Sequence, residues 1–153
     1  MLHITKLKAH PEFIPAIINA IWNEWSEDYI KRTNYKTKAD LENFYLQITR
    51  CDASIPDAYI IFDTDSHTII GSCLIDVEDM GVHPECPGPW LANVYVMEPY
   101  RNCGYATKLL EYVTSRYKKL HLWTFNTKLA EFYERFGFRV KEVISEKCIY
   151  MEL

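Results

Sequence analysis

A chain of 153 residues, 48% hydrophobic and 25% charged, is long enough to bury one sizeable core, so we expect a single folded domain over residues 1–153. The formal net charge of −4 and the lack of a basic block argue against nucleic acid as the main partner. The sequence has neither a run of ~20 apolar residues nor the apolar core of a signal peptide, so no membrane partner is expected.

The cysteine pattern bears on the compartment. The five cysteines are odd in number and widely scattered, and none forms a Cys-x-x-Cys pair. Such a pattern is typical of reduced thiols and predicts a cytoplasmic protein. We expect no metal, because paired metal-ligand spacing is missing; a site built from His83, Cys86 and a distant ligand is the alternative.

The first third of the chain predicts a strand and two helices. Residues 2–7 alternate as in an edge strand. Residues 11–25 carry apolar side chains at the three-to-four spacing of an amphipathic helix, with a proline at the start. A polar loop is expected over residues 26–37, and a second helix after Thr37.

The rest of the chain alternates between strands and helices. Strands are predicted over 58–62 and 68–77, and a turn at 63–67 joins them into an antiparallel hairpin. A loop rich in glycine and proline over 79–89 precedes the next strand. The later strands are predicted over 91–97, 120–124, 138–143 and 148–153, and the later helices over 103–118 and 127–136, with Gly137 as a helix C-cap.

The junction between the strand at 91–97 and the helix after it is the most informative segment. It reads Arg101-Asn102-Cys103-Gly104-Tyr105-Ala106. A strand that turns abruptly into a helix presents unpaired N–H groups and the positive end of the helix dipole, which together bind an anion, most often a phosphate. Gly104 allows an unusual backbone angle, and we expect a phosphorylated cofactor here. An ordinary tight turn is the alternative.

A second segment about twenty residues further on adds weight to the first. It reads Asn126-x-x-x-Ala130-x-Phe132-Tyr133-x-x-x-Gly137-Phe138. In this order and at this separation, the two segments resemble the GNAT superfamily of acetyl-CoA-dependent N-acetyltransferases, most specifically over residues 88–140. In that family the strand and loop read roughly apolar-x-Val-x-Pro-x-x-Arg-Gly-x-Gly-x-Gly. The matching positions here are Val94, Val96, Arg101, Gly104 and Ala106.

Three departures from the family pattern are visible. Asn102 stands where a glycine is usual, Pro99 lies one place later, and Ala106 replaces the final glycine. Asparagine tolerates left-handed backbone better than most residues, so we expect the loop to form.

The resemblance implies an α/β (α+β) fold: a mixed, mostly antiparallel twisted sheet of six to seven strands with about four helices on both faces. It also implies that the strands at 91–97 and 120–124 splay apart around the pantetheine arm of acetyl-CoA, whose acetyl carbonyl would lie near the N–H of Val94 or Tyr95. A homodimer is an open alternative to a monomer. The residues expected to bind the cofactor are Val94, Tyr95, Val96, Arg101, Asn102, Cys103, Gly104, Tyr105, Ala106, Thr107, Asn126 and Tyr133.

The chemistry of acetyl transfer needs few groups. The resemblance places Tyr133 near the sulfur, and a phenol with an unperturbed pKa of about 10 can donate a proton to the departing thiolate at neutral pH. A merely structural, half-buried tyrosine is the alternative. Glu78 is the first choice for a general base, with His83 and Glu85 as rivals, and solvent can take the proton if no base exists. Asn126 is expected to cap its helix.

Aromatic and acidic residues are expected to line the acceptor site. Trp22, Trp25, Tyr29 and Trp90 are the predicted substrate-binding residues. Together with Tyr35 and the carboxylates of Glu24, Glu27 and Asp28, such a wall suits an ammonium group or a peptide amino terminus; packing in the core and solvation are the alternative. The prediction is direct acetyl transfer from acetyl-CoA to a primary amine in a ternary complex. The rival is a non-catalytic module that only binds acyl-CoA.

Overall fold

In the computed structural model, which describes all 153 residues, seven strands form one sheet flanked by four α-helices. The strands are β1 (Leu2–Lys6), β2 (Asp57–Asp63), β3 (Thr68–Asp76), β4 (Trp90–Val96), β5 (His121–Thr124), β6 (Arg139–Ser145) and β7 (Cys148–Glu152). The helices are α1 (Ile14–Arg32), α2 (Lys38–Arg50), α3 (Tyr105–Thr114) and α4 (Thr127–Glu134). The strand order is β1-β2-β3-β4-β5-β7-β6, and every pair is antiparallel except β4–β5. The predicted sheet and helices are confirmed.

The helices cover the two faces of the sheet in pairs. Helices α1 and α2 pack on one face and α3 and α4 on the other, which divides the core into two apolar clusters. Strand β2 serves both clusters, because Ile60 and Phe62 face α1 and α2 whereas Tyr59 and Ile61 face α3. None of the four helices combines the length and the apolarity that crossing a membrane requires.

Helix α1 is longer than predicted. It continues to Arg32, so the loop predicted from Ser26 begins only after that residue. The backbone departs from helical angles at Trp25 (φ −124°, ψ 15°), which bends the helix there. The second half forms because Tyr29 extends the apolar stripe and because ion pairs one turn apart, Glu27–Lys31 at 3.5 Å and Asp28–Arg32 at 3.8 Å, support it.

The other bounds differ from the predictions by a few residues. Helix α3 begins at Tyr105 rather than at residue 103, because Gly104 is left-handed with φ +81°. The Asn126 side chain accepts a hydrogen bond from the Leu129 N–H at 2.9 Å, which confirms the predicted helix cap. Helix α4 ends at Glu134 with Arg135 as its C-cap, so the prediction of Gly137 as the C-cap is wrong by two residues; Gly137, with φ +97°, turns the chain after the helix.

The sheet opens between β4 and β5. These parallel strands pair only at Trp90 and His121, so the rest of β4 has no strand neighbour on that side. On its other side β4 pairs with β3, Ser72 with Tyr95 and Leu74 with Ala92, so that two residues of β4 lie opposite one of β3. This β-bulge bends β4 at the opening. The predicted splaying of the two strands is confirmed, and it positions the candidate site.

Candidate active site

A groove of about 1020 Å³ lies over the opening and is called here the outer groove. Its walls are the end of β4, the loop at 101–104, the start of α3 and one face of α4. Asn102 and Gly104 have φ of +60° and +81°, so the substitution of Asn for the usual glycine is tolerated as expected. The Lys108 N–H bonds to the Gly104 carbonyl, which leaves the amides of residues 105–107 as the free donors of the helix start. These donors form a seat for an anion.

The outer groove brings together nearly all of the predicted cofactor-binding residues. The predicted residues that line it are Val94, Val96, Arg101, Asn102, Gly104, Tyr105, Ala106, Thr107, Asn126 and Tyr133. Tyr95 instead lines the cavity on the other side of the opening. Cys103 lines neither space; its exposed thiol donates a hydrogen bond to the Arg101 carbonyl at 3.4 Å.

Two basic side chains complete the outer groove and were not predicted: one is on α4 and the other is on the residue directly after it. Lys128 and Arg135 line it, and the Arg135 guanidinium lies 4.7 Å from the centre of the Phe132 ring. They place positive charge opposite the start of α3. In the sequence they look like solvated helix residues, and only the docking of α4 reveals which way they face.

A second space of about 310 Å³, called here the inner cavity, lies between the bend of α1, β4 and β5. It shares five lining residues with the outer groove: Val94, Val96, Arg101, Leu129 and Tyr133. The two spaces therefore meet along the unpaired edge of β4, and a molecule extended through the outer groove would reach the inner cavity.

Tyr133 stands where the two spaces meet. Burial raises its pKa well above the ordinary value, and the neighbouring Cys73 and Asp79 add to this effect. The phenol therefore stays protonated at neutral pH and can only donate, not accept, a proton in that range. Its position and its protonation state fit the predicted acid.

Of the two neighbouring acidic residues after β3, Asp79 lines the inner cavity and Glu78 does not. Burial, together with the carboxylates of Glu78 and Asp76, raises the pKa of Asp79 to about 8. Asp79 lines both the inner cavity and a small adjoining pocket of about 20 Å³. Glu78 lines only the small pocket and is exposed, and its carboxylate accepts a hydrogen bond from the Gly81 N–H at 3.1 Å.

The rival bases lie elsewhere. His83 Nδ1 is 2.7 Å from the Glu85 carboxylate, and His83 Nε2 is 2.9 Å from that of Glu142 on β6. Neither His83 nor Glu85 lines the outer groove or the inner cavity. Asp79 was not among the predicted bases, because nothing in the order of residues shows which carboxyl group of the loop turns inward.

The predicted acceptor wall is only partly realised. Trp25, Glu24 and Asp28 line the inner cavity, whereas Glu27 projects into solvent. The unpredicted aromatic residues of the wall are Trp123 and Phe125, at the end of β5. Their rings contact each other edge to face at 5.0 Å. The alternation along β5 places Trp123 away from the α3 and α4 core, but the sequence alone did not show that it faces this opening.

Three of the predicted acceptor residues pack in the core and do not line the inner cavity. Trp22 stacks on Tyr29 at 6.1 Å and packs against the core, and Tyr29 is only 4% exposed. Trp90 is completely buried, and its indole N–H donates to the Cys86 carbonyl at 3.2 Å. A substrate in the inner cavity would not contact these side chains. Tyr35 lies in the small adjoining pocket.

Arg101 links the two spaces. Its Nε donates to the Val96 carbonyl at 3.0 Å, and its Nη2 lies 3.0 Å from the Glu24 carboxylate. The guanidinium carbon also lies 5.1 Å from the centre of the Tyr95 ring. The side chain thus ties the loop at 101–104 to α1, although the residue was predicted from the loop pattern alone.

With this geometry in place, comparison with known families is decisive. The model of the acetyltransferase (GNAT) domain matches residues 56–140, from the residue before β2 into β6. The chain belongs to the GNAT acetyltransferase family. This membership confirms the resemblance seen in the two segments. Acetyl transfer is the chemistry of this family.

Solved structures share the whole fold of this GNAT chain. A histone acetyltransferase HPA2 and related acetyltransferase from Corynebacterium glutamicum is 20% identical, with a TM-score of 0.69 over 99% of this chain and 94% of its own. An aminoglycoside 6'-N-acetyltransferase complexed with coenzyme A is 15% identical, with a TM-score of 0.70 over 99% and 96%. A PaiA N-acetyltransferase from Thermoplasma acidophilum, in complex with coenzyme A, is 17% identical, with a TM-score of 0.67 over 99% and 98%. No curated protein sequence is significantly similar to this chain.

Proposed function

We propose that this GNAT protein transfers the acetyl group of acetyl-CoA directly to a primary amine, with both substrates bound at once. The observation that carries the proposal is the meeting of the outer groove and the inner cavity at Tyr133 and the unpaired edge of β4. A cofactor that enters from one space and an amine that enters from the other would meet there without a covalent enzyme intermediate.

The outer groove suits coenzyme A in charge and shape. The diphosphate would bind to the amides of residues 105–107, with Lys128 and Arg135 supplying positive charge. The pantetheine arm would lie along Val94–Val96, whose edge lacks a strand partner. Solved GNAT folds at 15% and 17% identity contain coenzyme A, which supports the same cofactor here.

The amine must lose a proton to become a nucleophile, and Asp79 is the group we assign to accept it, directly or through water. An alkylammonium has a pKa of about 10, whereas that of Asp79 is raised to about 8. The remaining gap of about two units costs roughly 3 kcal/mol, since each unit is about 1.4 kcal/mol. For a carboxylate of ordinary pKa near 4 the cost would be about three times larger, so burial of Asp79 matters to the rate.

The amine nitrogen then attacks the thioester carbonyl carbon, and the C–S bond breaks as the N–C bond is completed. The N–H of Val94 or Tyr95 would stabilise the negative charge that develops on the carbonyl oxygen. The electron pair of the broken bond goes to sulfur. Tyr133 is assigned to hydrogen-bond to that thiolate and to donate its proton as the product leaves. The attacking nitrogen, positively charged after the N–C bond forms, releases its second proton to solvent, and the Tyr133 phenolate takes a proton back from solvent.

The acceptor that fits the inner cavity is a cation. Three acidic residues line it: Glu24 and Asp28, whose carboxylates pair with Arg101 and Arg32, and Asp79, which becomes negatively charged when it releases its proton near pH 8. Arg101 is the one basic residue of the lining. The rings of Trp25, Trp123 and Phe125 supply faces on which an ammonium group or its alkyl chain can rest.

Two measurements test the proposal on the wild-type protein. Calorimetry with acetyl-CoA and with coenzyme A tests the outer groove, and thiol release with pooled diamines, amino acids and short basic peptides tests the transfer. We expect binding of both cofactor forms, and thiol release that depends on the amine and falls at least 100-fold in Tyr133→Phe. Binding without any amine-dependent release would reject the transferase and identify a module that only binds acyl-CoA. An absence of binding would reject the site.

A further inference from the structure

Asn93 occupies the bulge of β4 and has a side chain that the proposed chemistry does not use. We infer that Asn93 is a positioning residue: held between Tyr29 and Tyr45, it fixes the bulge that presents the Val94 and Tyr95 amides to the thioester carbonyl. The inference rests on the proposed function, because it concerns the geometry of that transfer.

The backbone at Asn93 is unusual for a strand. Its φ is +50°, in the left-handed region that residues with a side chain rarely adopt and that asparagine tolerates best. The pairing of Ser72 with Tyr95 and of Leu74 with Ala92 leaves Asn93 and Val94 together opposite Cys73. The left-handed residue therefore sets the angle at which β4 enters the opening.

Two buried phenols hold the side chain of Asn93. The Tyr29 hydroxyl donates to Asn93 Oδ1 at 2.7 Å, and Asn93 Nδ2 donates to the Tyr45 hydroxyl at 3.0 Å. Tyr29 lies on α1 and Tyr45 on α2, and they are 4% and 1% exposed. Both partners are thus fixed by the core, and the side-chain amide of Asn93 is hydrogen-bonded to residues of two helices.

Little else restrains this part of β4. On the β5 side the strand has no partner beyond Trp90, and on the β3 side the bulge interrupts the regular ladder. The ring of Tyr95 contacts that of Trp25 on α1 edge to face at 5.7 Å, and the clamp by Tyr29 and Tyr45 adds the hydrogen bonds that tie the bulge itself to the α1 and α2 layer. Catalytic donors act only within about 0.5 Å of their productive position, so loss of the clamp should reduce the rate more than it reduces cofactor binding.

The test uses five variants and two measurements. Asn93→Ala removes the clamp and the left-handed preference, whereas Asn93→Gly removes the clamp but keeps the backbone freedom. Tyr29→Phe and Tyr45→Phe each remove one hydrogen bond, and Asn43→Ala, on the exposed side of α2, is the matched control. Steady-state kinetics give kcat and the KM for acetyl-CoA, and 15N relaxation gives the order parameters of the Val94 and Tyr95 amides.

We expect kcat to fall about 10- to 100-fold in Asn93→Ala and about 2- to 12-fold in each phenylalanine variant, the range that one neutral hydrogen bond spans. Asn93→Gly should fall between wild type and Asn93→Ala, the KM for acetyl-CoA should stay within about threefold, and Asn43→Ala should match wild type. The order parameters should drop from about 0.85 toward 0.6 in Asn93→Ala.

Folded variants with kcat within twofold of wild type, or with unchanged order parameters, would overturn the inference. If the wild type itself transfers no acetyl group, the proposed function fails. In that case the relaxation data alone decide whether the clamp holds the bulge.

Discussion

Replacement of Asp79 by Asn should stabilise the protein at neutral pH while it impairs the reaction. Folding raises the pKa of this carboxyl from 3.8 to about 8, chiefly by burial. The folded state therefore holds a proton that the unfolded chain has already released above pH 4. The contribution of this group to the free energy of unfolding is fully present below pH 4 and is lost progressively as the pH rises to about 8. Asparagine resembles the neutral carboxyl in shape and never ionises, so the variant does not lose stability at this position as the pH rises.

The size of the effect follows from the pKa difference. At pH 7 the wild type has lost at most about 4 kcal/mol, since each of roughly three pH units above 3.8 costs about 1.4 kcal/mol. Asp79 retains some contact with solvent, so we expect about half of this, on the order of 2 kcal/mol. For a chain of this length that corresponds to an increase in the melting temperature of about 4–8 °C.

Thermal melts at pH 4 to 8.5 and kinetics on the same samples test both sides of the prediction. The melting temperature of Asp79→Asn should exceed that of wild type by the largest amount near pH 8, and the gap should close toward pH 4. The rise of kcat/KM for the amine with a pKa near 8 should disappear. Glu146→Gln is the control, because Glu146 is an exposed carboxylate that lines neither the outer groove nor the inner cavity. A variant no more stable than wild type at pH 8 would show that Asp79 is not buried, and an unchanged pH–rate profile would exclude it as the base.

Three further outcomes are expected. In Tyr133→Phe, kcat should fall 100- to 10,000-fold with little change in the KM for acetyl-CoA. A rise in that KM as large as the fall in kcat would instead indicate a structural role. In Glu24→Gln, the KM for a cationic amine should rise several-fold while the KM for acetyl-CoA stays constant; Glu27→Gln, on the same helix but 88% exposed, is the control. In Gly104→Ala, an added Cβ would meet no atom within 4 Å, so only the strain of φ +81° acts, and acetyl-CoA should bind about 5- to 30-fold more weakly by calorimetry; unchanged binding would separate the loop from the cofactor.

The sequence predicted the parts of the site that depend on local backbone. The loop at 101–104 turns into α3 as expected, because the glycine and asparagine positions that permit left-handed backbone are visible in the chain itself. The cap at Asn126 is local in the same sense. The family resemblance of these segments also predicted the fold, and residues 56–140 match the family model.

The parts that depend on burial could not be predicted in this way. Glu78 and Asp79 are neighbours of the same charge, and only the path of the loop after β3 turns Asp79 toward the inner cavity and Glu78 toward solvent. Trp90 was predicted to line the acceptor site and Trp123 was not, yet Trp90 is wholly buried and Trp123 lines the inner cavity. Side-chain direction at an irregular strand or loop is a tertiary property, which hydrophobic periodicity does not encode.

The outer groove and the inner cavity differ in the charged residues that line them. Basic side chains and free amides lie at the outer groove, where Lys128, Arg135 and the start of α3 face the space beside one acidic residue, Glu131, and the acidic residues Glu24, Asp28 and Asp79 line the inner cavity. Under the proposed function, this distribution of charge would attract the anionic cofactor to the outer groove and a cationic amine to the inner cavity. Arg101 lines both spaces, and its pairing with Glu24 reduces the charge that it presents to the inner cavity. The two substrates of the proposed reaction would then meet at Tyr133, which also lines both spaces.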